Sequence, residues 1–235
     1  MICDERFCRT ISLLGKDKAL KLANAKVMII GCGAVGGYAL ECVARLGINN
    51  IVVVDFDCFE MSNINRQILA LDSTIGKKKS EVAKERILAI NPNANVKAFD
   101  LKVVAFNLDF ILDEKPDFVI DAIDDVVAKC DLIEFMVNCN IKFVSAMGAA
   151  LKYKPELLKI ATLDKTSCCR LAKKLRDILA KRGVNLKQVN CVYSTEAVKV
   201  CKDDMGNNVL GSLVMVPMAM GAELAYFAFN ELCAD

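Results

Sequence analysis

The run Gly31-Cys32-Gly33-Ala34-Val35-Gly36 has the spacing G-x-G-x-x-G. Between a strand and a helix, such a turn lets the backbone approach phosphate closely, and the N–H groups at the helix start offer it partial positive charge. Asp55 lies 24 residues after Gly31, where a carboxylate can accept hydrogen bonds from ribose hydroxyls. These residues specify a nucleotide without saying which one, since an NAD-binding protein would carry the same set. The segments beyond are more discriminating: DFDCFEMSNINRQ (55–67), TIGKKKSEVA (74–83) and DAIDD (121–125). Arg66 and Lys79 are cations suited to a triphosphate. Asp124 closes a strand-like run and suits Mg2+, an oxygen-seeking ion that bridges phosphates. A dehydrogenase has no need of this set, whereas activation of a carboxylate by MgATP would use all of it.

The elements that must position these residues are visible as short apolar runs. KVMIIG (26–31) reads as a strand entering the glycines, with a helix over 36–46. IVVVDFD (51–57) reads as a second buried strand after the turn at Gly47 and Asn49-Asn50. A helix over 76–90 is stopped by Asn91-Pro92, and a third strand follows at 95–99. DFVIDAID (117–124) and KFVSAMG (142–148) are further strands, separated by a helix over 126–138. The alternation predicts an α/β, Rossmann-like, doubly wound and mainly parallel sheet. Past Gly148 the pattern loosens. Strands are expected at 157–161 and 189–193, with a basic helix over 170–182 closed by Gly183 and a last helix over 217–232 packed on the sheet. The expectation is one domain over 1–235: a nucleotide-binding core in 1–150, then a basic C-terminal extension with further strand and helix elements in 151–235.

Composition narrows the chemistry. The 235 residues are 54% hydrophobic and 26% charged, enough apolar surface for one sizeable core and far from a membrane composition. The most apolar stretch, 209–229, is interrupted by Pro217 and carries Glu223, so it reads as a strand and buried helix rather than a membrane span. The opening MICDERFCRT places charges before any apolar run, unlike a signal peptide. Twelve cysteines are scattered without a Cys-x-x-Cys pair, the expected pattern for reduced thiols of a cytoplasmic protein. Histidine is absent, which removes imidazole catalysis and the usual zinc sites. Cys168, Cys169 and Cys191, after the core strands, read as inert or partly exposed thiols, with a nucleophilic role for one of them left open. Net charge is +2 but uneven: residues 152–202 hold thirteen Lys/Arg against four Asp/Glu. A basic block on an acidic remainder suggests a polyanionic partner.

In order, the glycine run, the S-N-I-N-R-Q loop (62–67), Lys79 and Asp124 resemble the E1-like superfamily, which includes bacterial molybdopterin- and thiamine-pathway adenylyltransferases. The resemblance covers nearly the whole chain. It implies ATP and Mg2+ as cofactors, with Gly31, Gly33, Gly36 and Asp55 at the nucleotide, Asp55 on the ribose, and Asn63, Arg66 and Lys79 on the phosphates. Gln67 would support the loop, Asp57 would assist, and Asp124 would act through the metal. RFCRT (6–10) resembles an N-terminal motif whose second arginine, here Arg9, enters the partner subunit's ATP site, which implies a homodimer.

LDKTSCCRLAKKLR (163–176), VYSTEAV (192–198) and GSLVMVPMAMG (211–221) look like the tRNA threonylcarbamoyladenosine dehydratase branch. Members often have a proline where this chain has Cys168-Cys169-Arg170, a departure that bears on the start of the basic helix. The branch implies adenylation of the threonine carboxylate on N6-threonylcarbamoyladenosine at position 37 of tRNA, followed by cyclisation. It also implies that Lys152, Lys154, Lys173, Lys174, Arg176, Lys181 and Arg182 meet phosphates of the anticodon stem-loop. A sulfur-transfer protein partner acting on one of the cysteines is compatible with the same reading. Two alternatives stay open. One is an adenylyltransferase that activates the C-terminus of a ubiquitin-like sulfur carrier, although such members commonly carry two Cys-x-x-Cys pairs. The other is a non-catalytic NAD-binding Rossmann protein.

Overall fold

The computed structural model describes residues 4–198, 201–202 and 205–234. Its centre is a seven-stranded sheet of order β3-β2-β1-β4-β5-β7-β6. The strands are β1 (Lys26–Ile30), β2 (Asn50–Val54), β3 (Asn95–Phe99), β4 (Phe118–Asp121), β5 (Phe143–Ala146), β6 (Leu158–Thr162) and β7 (Asn190–Ser194). β1, β2, β4 and β5 are buried at nearly every position because both faces are covered, which is why their sequences are apolar runs rather than alternations. β3 lies at an edge and alternates instead, with Val96 buried between exposed Asn95 and Lys97.

Helices α1 (Cys8–Leu14), α2 (Lys16–Asn24), α3 (Gly36–Arg45), α4 (Lys79–Ile90), α5 (Phe110–Glu114), α6 (Val126–Asn138), α7 (Arg170–Lys181) and α8 (Met215–Cys233) pack around the sheet. One core cluster joins Leu22 of α2, Leu40 and Val43 of α3, Ile87 of α4 and Leu224 of α8 to the sheet. The other joins Ile111 of α5, Leu132 and Met136 of α6, and Leu175 and Leu179 of α7. The strand order reverses between β1 and β4, each hydrogen-bonded in parallel to the other. A crevice opens at the carboxyl ends of the strands at such a switch point.

The basic segment does not stand apart from the nucleotide core. β7 pairs in parallel with β5 and β6 pairs antiparallel with β7, so both complete the same sheet. The last helix begins at Met215, earlier than its proline suggests. Pro217 sits in the first turn, where an N–H would have no helical acceptor anyway. The first helical region of the chain reads from sequence only as a polar stretch. It becomes helical because α2 buries Leu22 against the core, and Gly15, at φ +81°, makes the break between α1 and α2.

Among the described residues, no helix is long and apolar enough to cross a membrane. Ten cysteines there are unpaired thiols. Cys3 and the side chain of Cys201 lie outside the described residues.

Candidate active site

A cavity of about 620 Å³ opens at the carboxyl ends of β1, β2, β4 and β5, and Gly31, Gly33, Asp55, Asp57, Arg66, Gln67, Lys79 and Asp124 all line it. The glycine turn is built so tightly that side chains are excluded. Gly31 has φ +93°, and a Cβ there would stand 2.8 Å from the carbonyl oxygen of Ala122. A Cβ on Gly36 would stand 1.8 Å from the carbonyl oxygen of Gly31. Gly36 therefore does not line the cavity; it lets α3 close onto the end of β1, the packing role of a third glycine in this spacing.

Asp55 braces that turn. Its carboxylate accepts the Cys32 N–H at 2.7 Å and the Asp57 N–H at 2.9 Å, fixing the end of β2 to the glycine loop. Burial raises its pKa, and those two hydrogen bonds and the Lys79 charge oppose the rise. Lys79 opens α4, where its N–H donates to the Asp57 carbonyl at 2.9 Å. Its ammonium sits 3.2 Å from Asp57 Oδ2 and 5.9 Å from the centre of the Phe59 ring, and only 7% of the residue is exposed. Arg66 is half-buried and held by the Ser62 carbonyl at 2.9 Å and Asn65 Oδ1 at 2.8 Å. Two cations thus enter one cavity from a loop and a helix start.

The fit of a nucleotide can be tested on Gln67. Its side chain is buried beside Gly33, and its Oε1 has no hydrogen-bond partner. A buried amide oxygen without a donor costs about 1–3 kcal/mol, and a ligand hydroxyl or amino group would relieve it. Asp124 is exposed at the cavity wall and makes no hydrogen bond or ion pair among the described residues. A free carboxylate in the wall of a cavity that also holds two cations suits an ion such as Mg2+, which binds through one or two carboxylates together with phosphate oxygens. The residues therefore fit both ATP and the metal.

Two further expected residues, Asn63 and Arg9, stand outside the lining of the cavity. Asn63 does not line the cavity. Its buried amide accepts the Glu60 N–H at 3.2 Å and donates to Ser62 Oγ at 3.3 Å, so it shapes the loop that carries Arg66. Arg9 is exposed on α1, two residues after Phe7, whose ring lies 3.3 Å from where a Gly47 Cβ would stand. Gly47 precedes β2, so α1 lies at the end of the sheet opposite the glycine turn, and Arg9 does not line the cavity.

Of the seven cations expected at tRNA, three are engaged by other groups of the fold, Lys152 in its interior, Arg176 half-buried and Arg182 at its surface. Lys152 is 3% exposed and donates to the Glu196 carbonyl at 2.6 Å. Arg176 donates to the carbonyl of Thr166 at 2.9 Å and to its hydroxyl. Arg182 is shared by Asp131 at 2.7 Å and Glu134 at 2.9 Å on α6. Lys154, Lys173, Lys174 and Lys181 remain exposed. Arg170 joins them, although the sequence reading placed it only at the start of the basic helix and not among the tRNA contacts. It stands at the start of α7 beside Leu171, which lines the cavity, so its position next to the site is a matter of fold rather than motif.

Cys191 is equally unsuited to the nucleophilic role left open for it. Its thiol is buried and its pKa is pushed up to about 12, chiefly by desolvation. Cys169 is buried as well, and its sulfur accepts the Ala172 N–H at 3.5 Å as the cap of α7. The departure from the family's proline therefore falls on Arg170, the first residue of the helix, and leaves the cap at Cys169. The apolar wall of the cavity was also missed: Phe56, Leu101 and Val103 face it, with the Lys102 ammonium 5.2 Å over the Phe56 ring. Phe56 arrives with the end of β2, whereas Leu101 and Val103 are brought there by the segment after β3.

With this geometry in place, comparison with known proteins is informative. The ThiF family model matches residues 7–219. The chain is 35% identical over 204 residues to the tRNA threonylcarbamoyladenosine dehydratase of Bacillus subtilis, spanning 87% of this chain and 80% of that protein. It is 38% identical over 207 residues to the enzyme of the same name from Escherichia coli, spanning 85% and 77%. The crystal structure of E. coli tRNA N6-threonylcarbamoyladenosine dehydratase in complex with ATP matches with a TM-score of 0.90 at 35% identity, covering 99% of this chain and 96% of that one.

Proposed function

The chain belongs to the ThiF family, and from that premise we propose that it is an ATP-dependent tRNA threonylcarbamoyladenosine dehydratase. The observation that carries the proposal is the single cavity in which the glycine turn, Asp55, Arg66, Lys79 and Asp124 meet. The relatives' names supply the substrate.

In this reading the glycine turn and Asp55 hold the nucleoside end of ATP, and Lys79 and Arg66 hold its phosphates. Mg2+, held by Asp124 with Asp57 in the same wall, would draw charge from the departing pyrophosphate. The threonine carboxylate of the modified adenosine is a poor electrophile. Its oxygen attacks the α-phosphorus of ATP and displaces pyrophosphate. A carbamoyl nitrogen then attacks the acyl carbon, loses its proton, closes a five-membered ring and releases AMP. The net change in the tRNA is loss of water. Positioning and phosphate electrostatics supply the rate, so no histidine and no enzyme nucleophile is required. Mass spectrometry of nucleosides from cells lacking the protein should show the linear modification accumulating and the cyclic one gone. Persistence of the cyclic form would overturn the assignment.

The reading includes a homodimer in which Arg9 serves the partner's ATP, supported by the position of α1 away from its own cavity. Arg9→Ala and Asp124→Ala should each be inactive alone. A mixed dimer has one site with both lesions and one with neither, so about half the activity should return if the sites are independent. Mixed dimers seen by native mass spectrometry without recovered activity would sink this assignment of Arg9.

The exposed face of α7 is the proposed tRNA contact. Lys173→Ala and Lys174→Ala should each weaken binding across tRNA sequences and lower the salt slope by roughly one, as expected for one phosphate contact. Arg182→Ala should leave affinity unchanged and lower stability by up to ~1 kcal/mol, since it loses two partly screened surface ion pairs. Salt-dependent binding curves beside melting curves would distinguish the two classes, and equal losses of affinity in all three variants would refute the division.

A further inference from the structure

Beneath the cavity lies a charged pair that the mechanism above does not use. Lys129 of α6 and Asp121, the last residue of β4, stand 2.8 Å apart, and neither side chain is exposed at all. Removing both ions from water is expensive, and an apolar pair of similar volume often gives an equally stable or more stable fold. Net stability is therefore a weak reason for having the pair.

Its hydrogen bonds suggest a different one. Ser145 Oγ of β5 donates to Asp121 Oδ2 at 2.7 Å, which orients the carboxylate. The other oxygen, Oδ1, accepts the Ile123 N–H at 3.1 Å. The Lys129 ammonium donates to the Ile123 carbonyl at 2.8 Å. Both peptide groups of Ile123 are thus held, one by the carboxylate and the other by the ammonium. That carbonyl belongs to the peptide bond leading into Asp124. On the far side Asp125 is fixed as the cap of α6, accepting the Ala128 N–H at 2.8 Å. Asp124 therefore projects into the cavity from a backbone anchored on both flanks, while its own carboxylate is left free.

We infer that Lys129 is a positioning residue that, through the Ile123 carbonyl, sets the backbone from which Asp124 reaches the metal and phosphates. The inference rests on the proposed role of Asp124 toward MgATP. A lysine in a helix between Asp124 and the apolar core would otherwise read as a misplaced surface residue. Here its charge is spent on two acceptors, one of which is the loop itself.

The test compares the full-length wild type, Lys129→Met and the double variant Asp121→Asn/Lys129→Met. Each is measured by melting and by calorimetric titration with ATP, with Mg2+ present and with Mg2+ chelated. Lys129→Met leaves Asp121 buried and unpaired, so its melting temperature should fall. In the double variant the Asn carbonyl can still accept the Ile123 N–H and its amide can donate to Ser145, so the melting temperature should recover. A purely structural role would restore nucleotide binding along with stability. A positioning role would not, because the Ile123 carbonyl is still released. The double variant should therefore lose roughly tenfold or more of the Mg2+-dependent gain in ATP affinity, the scale found when the support of a metal ligand is removed, while binding without Mg2+ stays at the wild-type level. A double variant that melts like the wild type and keeps the full Mg2+ gain overturns the inference. A wild type whose ATP affinity gains nothing from Mg2+ removes the reading of Asp124 and this inference with it.

Discussion

Asp124→Ala should abolish pyrophosphate exchange, with a fall of roughly 10²–10³-fold or more, while the melting curve stays close to that of the wild type. The two halves of this expectation have separate causes. Stability is spared because the carboxylate is exposed and engages no described neighbour, so its removal opens no cavity and strands no buried partner. Activity is lost because the cavity's cations neutralise only part of a triphosphate, and the metal would lose its ligand on the β4 side. The adjacent Asp125 does not substitute, since its carboxylate caps α6. A melting temperature lowered far below the wild type without nucleotide would show that Asp124 supports the fold. Near-normal exchange in a folded variant would remove it from the site.

Lys79→Met should lower turnover by roughly 10²-fold, the scale for loss of one charge partner of a transition state. The ammonium is pre-positioned by Asp57 and the Phe59 ring at the start of a helix, so it needs little reorganisation to meet a phosphate. Stability should change by ~1 kcal/mol or less, because the stranded partner, Asp57, is half exposed and can be solvated. The substitution has a further signature in pH. Lys79 is one of the influences that hold the Asp55 carboxyl down against the upward push of burial. Without it the Asp55 pKa rises further, so protonation begins at higher pH as the solution is acidified. The residual activity of Lys79→Met should therefore decline on the acid side at a higher pH than that of the wild type. Arg66→Ala, which leaves Asp55 alone, should lose turnover without that displacement. Identical acid limbs in the wild type and Lys79→Met would separate Lys79 from Asp55 in function.

The features legible in the sequence are those whose physics is local. Four of the core strands announce themselves because strands buried on both faces must be apolar throughout. The glycine turn is equally plain, since no residue with a Cβ could occupy Gly31 or Gly36. Asp55, Lys79 and Asp124 could be placed because each stands at the end of a strand or the start of a helix, and those ends share one rim of a doubly wound sheet. Cysteine and histidine usage likewise narrowed the chemistry without any structure.

The basic segment shows the limit. Lys152, Arg176 and Arg182 look no different in sequence from Lys173 and Lys174. Yet a carbonyl of Glu196, the Thr166 group and the carboxylates of Asp131 and Glu134 claim the first three. Arg170, Leu101 and Val103 come to the site only because α7 and the segment after β3 fold beside it, where the last two meet Phe56 from the end of β2. Asn63 belongs to the right loop but turns inward, a choice made by the hydrogen bonds of that loop rather than by residue type. By itself, then, the sequence determined the backbone order, the glycine turn and the residue types at the strand ends, because these follow from local sterics, periodicity and burial. The tertiary structure alone decided which charges are free and which are claimed, and that Asp121 and Lys129 meet beneath Asp124, because a charge's partner is set by distance in space and not by separation along the chain.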